Sequence, residues 1–326
     1  MQFRLPRTVG SARAVRRRNI NMLKPRCEGL DSRVLLRSGM AVPLEVPAIV
    51  RRGSGLEAEI SVLARSTRTQ VTRNIAYRST NGATQRLDVY VPSGTAPRNG
   101  WPVVIAIHGG GWRRYNKEQY GPRAAVLTKS GFAVVAPNYT LSTPTRPSWP
   151  ANLQDLLGVL DWTATNARQF ALDPARVATM GESAGGHLAL MLGMSTKKSP
   201  IRVRAIVNFY GPTELHALEH DSPSAAAAVS GLLGPLRFQN ESLYVRSSPT
   251  LLVTSTTPPV LTFHGLRDWL VPPSQARKLD DALRKNGVDH ATYLLEGAEH
   301  GFGFRAGGRN LLATTVAFLT KHLATD

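Results

Sequence analysis

The sequence predicts an α/β fold with a mainly parallel central sheet and helices on both faces. Three observations carry this expectation. Short, wholly apolar runs bounded by Pro or Gly recur along the chain, the pattern of fully buried strands. Between them lie stretches with apolar residues at helical spacing. The two kinds alternate six times from residue 71 onward, and alternation at this spacing requires βαβ crossovers and hence parallel pairing.

The elements follow in order. Gln85–Val91 alternates, is rich in β-formers and stops at Pro92, so it reads as a strand. Val103–Ile107 is a buried strand between Pro102 and a glycine cluster. Glu118–Ser130 is a helix ended by Gly131, and Phe132–Ala136 the next buried strand. Asn152–Arg168 places Leu153, Leu156, Leu157 and Leu160 on one helical face, with Asn152 as the expected N-cap. Val177–Met180 is a strand, Ala184–Met194 a helix and Ile201–Phe209 a strand. Val260–His264, helix Pro273–Lys285, strand His290–Leu295 and helix Asn310–His322 complete the pattern. Residues 211–258, rich in Pro, Ser and Ala, interrupt it and read as a cap-like excursion over the C-terminal edge of the sheet, where ligands bind in open α/β sheets.

Composition narrows the function classes. The chain has 326 residues, 42% hydrophobic and 19% charged, a globular balance. Its single cysteine, Cys27, excludes an internal disulfide framework and a cysteine-rich zinc site. No run approaches the roughly 18 apolar residues that a membrane-spanning helix needs. The net charge is +18, and residues 1–70 hold 14 basic against 5 acidic residues. Such a field attracts anions but carries no information about fold. We read residues 1–70 as a basic, poorly ordered extension and 71–326 as the folded domain. The Arg-rich, acid-poor opening has a loose transit-peptide character, but Met40–Val50 is broken by Pro43, Glu45 and Pro47 and is no secretory h-region. A cytoplasmic location is therefore the expectation. The extension lacks aromatic interleaving or a recognition motif, so no specific nucleic-acid partner is expected.

Chemistry concentrates in four places. Gly181-Glu182-Ser183-Ala184-Gly185 is a G-x-S-x-G pattern placed between a strand and a helix, the context in which its serine becomes an exposed nucleophile. His108-Gly109-Gly110-Gly111-Trp112 follows a strand. Its glycines leave backbone N–H groups unobstructed, able to converge on an oxyanion with the N–H of Ala184. No P-loop lysine or GxGxxG accompanies it, which sets aside a phosphate cradle. A serine needs a base oriented by a carboxylate. Asp268, in His264-Gly265-Leu266-Arg267-Asp268, and His300, in Glu299-His300-Gly301-Phe302, each follow a predicted strand in the order Ser, Asp, His. Glu296, Glu299, Asp280 and Asp281 are the other nearby carboxylates. Asp280 and Asp281 fall within a helix, and Glu299 is too close to the base in sequence to reach its far ring nitrogen.

The remaining polar residues have plainer readings. His187 reads as a packed or hydrogen-bonded residue one turn into the nucleophile helix, and His108 as a brace for the glycine loop. His216, Glu219 and His220 lack a further ligand and read as a solvated face. Asp155 and Asp161 read as structural.

Together HGGGW, GESAGGHLA, HGLRD and EHGF resemble the α/β-hydrolase esterases of the hormone-sensitive-lipase and feruloyl/acetyl-xylan-esterase (BD-FAE) type. The connecting stretches VVAPNYTLS, ALDPARVATMGES and VPPSQARKLDDALRKNG fit as well, so the likeness spans about residues 71–326; residues 1–70 have no counterpart. The resemblance implies an α/β-hydrolase fold and a serine carboxylesterase acting on small-molecule, short-chain esters without metal or organic cofactor. It implies Ser183, Asp268 and His300 as catalytic residues and Gly110, Gly111 and Ala184 as oxyanion donors; Trp112 reads either as bordering the acyl or alcohol pocket or as packing under the loop. Arylformamidases carry a similar HGG-x-W loop and give the alternative activity. A non-catalytic binding protein of the same fold is the reading from a different class, although such proteins commonly lack part of the triad.

Overall fold

The computed structural model describes residues 69–80, 82–195, 199–235 and 239–324. The basic extension expected over residues 1–70 lies outside these residues, except that Thr69 and Gln70 open a strand.

The main sheet has eight strands: β1 Thr69–Thr80, β2 Ala83–Pro92, β3 Trp101–Ile107, β4 Ala133–Pro137, β5 Leu172–Glu182, β6 Val203–Phe209, β7 Val260–Gly265 and β8 His290–Leu295. Their order is β1-β2-β4-β3-β5-β6-β7-β8. β1 with β2 and β2 with β4 are antiparallel; all other neighbours are parallel. The helices are α1 Gly121–Lys129, α2 Ala151–Asn166, α3 Ala184–Met194, α4 Leu215–Asp221, α5 Pro223–Leu233, α6 Glu241–Arg246, α7 Pro249–Leu252, α8 Ser274–Lys285 and α9 Leu311–His322. A small ladder, β9 Arg305–Ala306 with β10 Arg309–Asn310, precedes α9. Among the described residues no helix is long and apolar enough to cross a membrane.

Alternation along the strands supplies two cores. Val103, Ile105 and Ile107 of β3 face one core, with side chains of α2, α3 and α8. Val104 and Ala106 face the other, with α1 and α9. Each such Val or Ile contributes about 1.5–3 kcal/mol by leaving water. A strand buried on both faces must be apolar throughout, which is why these runs stand out in the sequence. Because the central strands run parallel, the loops after β3, β5, β7 and β8 all emerge at one edge of the sheet.

The structure refines several expectations. β1 carries Thr, Arg and Asn on an exposed edge and had no buried pattern to announce it. Its ladder is irregular at Asn74, which takes a positive φ of 59° and donates its N–H to Asp88. The single helix expected over Glu118–Ser130 is a 3₁₀ turn, Lys117–Tyr120, followed by α1. Pro122, which has no N–H to donate, sits at the start of the new helix. Asn152 is not the N-cap of α2: Pro150 holds that position, and the buried Asn152 side chain instead donates to Ser148 Oγ and accepts from the Leu153 N–H. β5 is longer than Val177–Met180, because Leu172 and Asp173 already pair with Trp101 and Pro102. Residues 210–259, between β6 and β7, hold α4 to α7.

Candidate active site

Ser183 stands at the abrupt turn from β5 into α3, with φ 53° and ψ −123°. This conformation is strained for a residue with a Cβ, and it persists because its surroundings over-determine it. Its N–H donates to the Phe209 carbonyl at 2.9 Å, and its carbonyl accepts from the His187 N–H at 3.1 Å. Gly181 and Gly185 flank the turn so closely that a Cβ on Gly181 would collide with the Gly185 carbonyl, and one on Gly185 with the Ile107 carbonyl. The two glycines are thus a packing requirement that lets β5, α3 and the end of β3 meet.

Asp268 and His300 reach the serine from the loops after β7 and β8. His300 Nε2 lies 2.9 Å from Ser183 Oγ, and His300 Nδ1 lies 2.7 Å from Asp268 Oδ2. Asp268 is buried; its Oδ1 accepts the N–H groups of Leu270 (3.0 Å) and Val271 (2.8 Å). His264 packs 3.5 Å from Asp268 and is anchored to the Val271 carbonyl at 2.7 Å. Burial pushes the His264 pKa down, so this histidine is a neutral neighbour of the carboxylate.

The glycine loop is braced from below. His108 stacks on Tyr139 with centroids 4.3 Å apart, and Tyr139 donates to the His108 carbonyl at 2.9 Å. The Gly109 N–H is occupied by Gln119 Oε1 at 3.2 Å. Gly110, Gly111 and Trp112 then take positive φ of 107°, 60° and 57°, and the Gly110 carbonyl turns away to accept from Arg113 and Arg114. Among the described residues, the N–H groups of Gly110, Gly111 and Ala184 meet no hydrogen-bond acceptor. Trp112 is buried beneath the loop and donates from its indole to His187 Nδ1 at 3.2 Å, while its edge lines the cavity. His187 Nε2 in turn donates to the Ser247 carbonyl at 2.8 Å, a network that ties α3, the loop and the segment between β6 and β7 together. Burial lowers both His108 and His187 to about 4, so neither carries charge at neutral pH.

Sequence reasoning passed over a polar group beside the serine. Glu182 is buried and ion-paired to Arg123 of α1. Burial pushes its carboxyl up to about 7, opposed only in part by Arg123 and the Tyr210 hydroxyl. Tyr210, at the end of β6, donates to the Phe302 carbonyl at 2.9 Å and sets its ring edge-on to His300 at 4.8 Å. Glu182 occupied a variable position of the motif, and nothing local marked Arg123 or Tyr210 as its neighbours.

The other candidates lie elsewhere. Asp155 accepts from Thr140 and pairs with Arg78. Asp280 and Asp281 pair with Arg284 on α8, and the exposed Glu299 lies 3.9 Å from Arg267. Glu219 accepts from Tyr244, whose ring packs on His216, and His220 contacts Asp221. Asp161 is exposed on α2, and Glu296 is exposed past the end of β8.

Ser183 and His300 open on a cavity of about 370 Å³. Its apolar wall comes from Leu218 of α4, Ala225 and Ala228 of α5, and Leu270 and Val271 beyond β7.

This strand order, with the serine turn after β5 and its partners on the loops after β7 and β8, defines an α/β-hydrolase fold. The chain belongs to the BD-FAE family, whose model matches residues 87–283. Among curated proteins, esterase LipQ of Mycobacterium tuberculosis is 29% identical over 237 residues, covering 69% of this chain and 56% of LipQ. Esterase LipC of the same organism is 29% identical over 226 residues, covering 64% and 55%. The chain therefore spans about half the length of these relatives. Among solved structures, a truncated carbohydrate esterase from gut microbiota superposes with a TM-score of 0.69 at 23% identity, covering 80% of this chain and 99% of that one. Carboxylesterase Cest-2923 from Lactobacillus plantarum WCFS1 gives 0.64 at 20% identity, covering 79% and 99%. These structural likenesses concern the fold.

Proposed function

We propose that the protein is a serine carboxylesterase that hydrolyses small, short-chain acyl esters through an acyl-enzyme. The observation that carries this reading is the unbroken contact chain from Asp268 through His300 to Ser183 at the mouth of the cavity. The esterase names of the curated relatives point the same way.

Ser183 Oγ attacks the ester carbonyl carbon while His300 Nε2 takes its proton. The carbonyl oxygen becomes an oxyanion held by the free N–H groups of Gly110, Gly111 and Ala184, each worth on the order of 3 kcal/mol of barrier. Asp268 accepts from Nδ1, fixing the tautomer that leaves Nε2 free and stabilising the imidazolium. The intermediate collapses, the C–O bond to the alcohol breaks, and His300 returns the proton to the departing oxygen. Water, deprotonated by His300, then attacks the acyl carbon, and Ser183 leaves with its proton restored. The cavity lies toward the small end of the roughly 300–1,000 Å³ range of ligand sites, and its wall of Leu and Ala side chains suits a short acyl chain.

The test is hydrolysis of nitrophenyl acetate, butyrate, octanoate and laurate by wild type and Ser183→Ala, with N-formylkynurenine and an acetylated xylan fragment in parallel. The expected result is turnover highest on acetate or butyrate and reduced at least about a thousandfold in the variant. Preference for N-formylkynurenine would move the activity to formamide hydrolysis. Full activity in Ser183→Ala would remove the serine mechanism.

A further inference from the structure

Resting on that reading, the charge lining the cavity narrows the substrate class. Arg113 and Arg114 directly follow the glycine loop, are exposed, and line the same cavity as Ser183. Several arginines elsewhere pair with carboxylates: Arg73 reaches Asp88, Arg176 Asp173, and Arg284 both Asp280 and Asp281. Among the described residues, Arg113 and Arg114 have no such partner. The single carboxylate among the described residues that line the cavity, Glu182, is already ion-paired to Arg123. The positive charge at the mouth is therefore uncompensated.

A second observation extends it. A neighbouring cavity of about 740 Å³ shares Arg113 and Arg114 and adds Arg146, Ser142, Thr143 and Thr145, with no Asp or Glu among the described residues of its lining. Two cavities thus meet at an arginine pair, one leading to the serine and the other offering only cationic, hydroxyl and apolar groups. Guanidinium groups bind carboxylate and phosphate in fork geometry, and hydroxyls donate to the same oxygens. We propose that Arg113 and Arg114 form a subsite for an anionic group, a carboxylate or a phosphate, carried by the ester away from its scissile carbonyl. The preferred esters of this enzyme are then acidic ones.

The experiment compares kcat/KM within charged and neutral pairs of matched size, using the full chain. One pair, 4-nitrophenyl hydrogen glutarate against 4-nitrophenyl hexanoate, puts the carboxylate on the acyl side. A second, 4-acetoxybenzoate against its methyl ester, puts it on the alcohol side. A third, 4-acetoxyphenyl phosphate against 4-methoxyphenyl acetate, replaces carboxylate by phosphate. Because the arginines are solvent-exposed, the expected preference for the charged member in at least one pair is about three- to tenfold at low salt, falling below about twofold in about 0.5 M NaCl. The same collapse of the ratio is expected in the Arg113→Gln/Arg114→Gln variant. Equal or reversed ratios in all three pairs, or a preference that survives the double substitution, would overturn the subsite. Calorimetric binding of the same pairs to Ser183→Ala reads the subsite without turnover. A wild type that cleaves none of these esters would count against the esterase reading, while the ratio of dissociation constants would still decide the subsite.

Discussion

The two halves of the site are held in place by opposite means. The half built from the nucleophile turn and the glycine loop is a backbone construction. Ser183, Gly110, Gly111 and Trp112 all have positive φ, and the glycines around Ser183 pack against carbonyl groups with no room for a methyl. The half built from Asp268 and His300 has neither residue in that backbone region and is held by side-chain contacts: two N–H groups on Asp268, the Asp268–His300 bond, and the Tyr210 ring beside His300. The first half should fail when atoms are added, the second when polar atoms are removed. Such a division suits the proposed chemistry, in which an oxyanion hole must not yield as charge develops, whereas the base must accept and release a proton.

The largest effect is expected in the second half. Asp268→Asn keeps the shape but disfavours the tautomer that leaves His300 Nε2 as acceptor, and kcat on nitrophenyl butyrate should drop on the order of 10⁴-fold while the fold is retained. A loss of less than tenfold would show that another carboxylate orients the base. Next comes Gly185→Ala, which adds one methyl against the Ile107 carbonyl. It should cost about 1–3 kcal/mol of stability, read by urea denaturation, and most of the activity. A fully stable and active variant would mean the turn is looser than its packing indicates.

pH separates the halves further. The folded-state pKa values of His108 and His187 lie near 4, below the ordinary 6.5. The unfolded chain binds protons there that the native state does not, so stability is full above pH 6.5 and falls as pH drops toward 4, by up to about 3 kcal/mol per ring. Glu182, raised to about 7, acts in the reverse sense, stabilising the fold as pH falls from 7 through 4.5 and offsetting roughly one of the two rings. Urea midpoints from pH 7 to 4.5 should therefore decline, because the depressed histidines, buried His264 among them, outnumber the one raised carboxyl, and Glu182→Gln should steepen the decline. The smallest effect belongs to Tyr210→Phe, which leaves the ring beside His300 but removes the hydroxyl from the Phe302 carbonyl and from Glu182. A fall in kcat of a few-fold is expected, in line with about 1 kcal/mol for one hydrogen bond. An unchanged kcat would assign the holding of His300 to Asp268 and the ring contact alone.

How far each half was legible in the sequence follows from the range of the forces involved. Strands β3, β4 and β7 and helix α3 could be read directly, because a strand buried on both faces must be continuously apolar and a turn this tight needs Gly181 and Gly185. Ser183, Asp268 and His300 were legible because each stands just past the C-terminal end of a parallel strand, and parallel pairing alone brings those ends to one edge. Edge strand β1 was not legible, since an exposed strand paired on one side lacks an apolar signature. Asn152 looked like a cap because a capping side chain and one in the first turn of a helix share the same local chemistry; Pro150 holds the cap and Asn152 bonds to Ser148 instead.

The sequence by itself thus determined the α/β architecture, the family and the three residues that meet at the sheet edge, all consequences of local periodicity and of side chains whose chemistry is recognisable in isolation. Only the tertiary structure decided the rest. The pairing of Glu182 with Arg123, the reach of His187 from Trp112 to Ser247, and the meeting of two cavities at Arg113 and Arg114 join residues far apart in the chain. Charge, burial and volume at such places are properties of what packs around a side chain, and they exist only once distant segments have folded together.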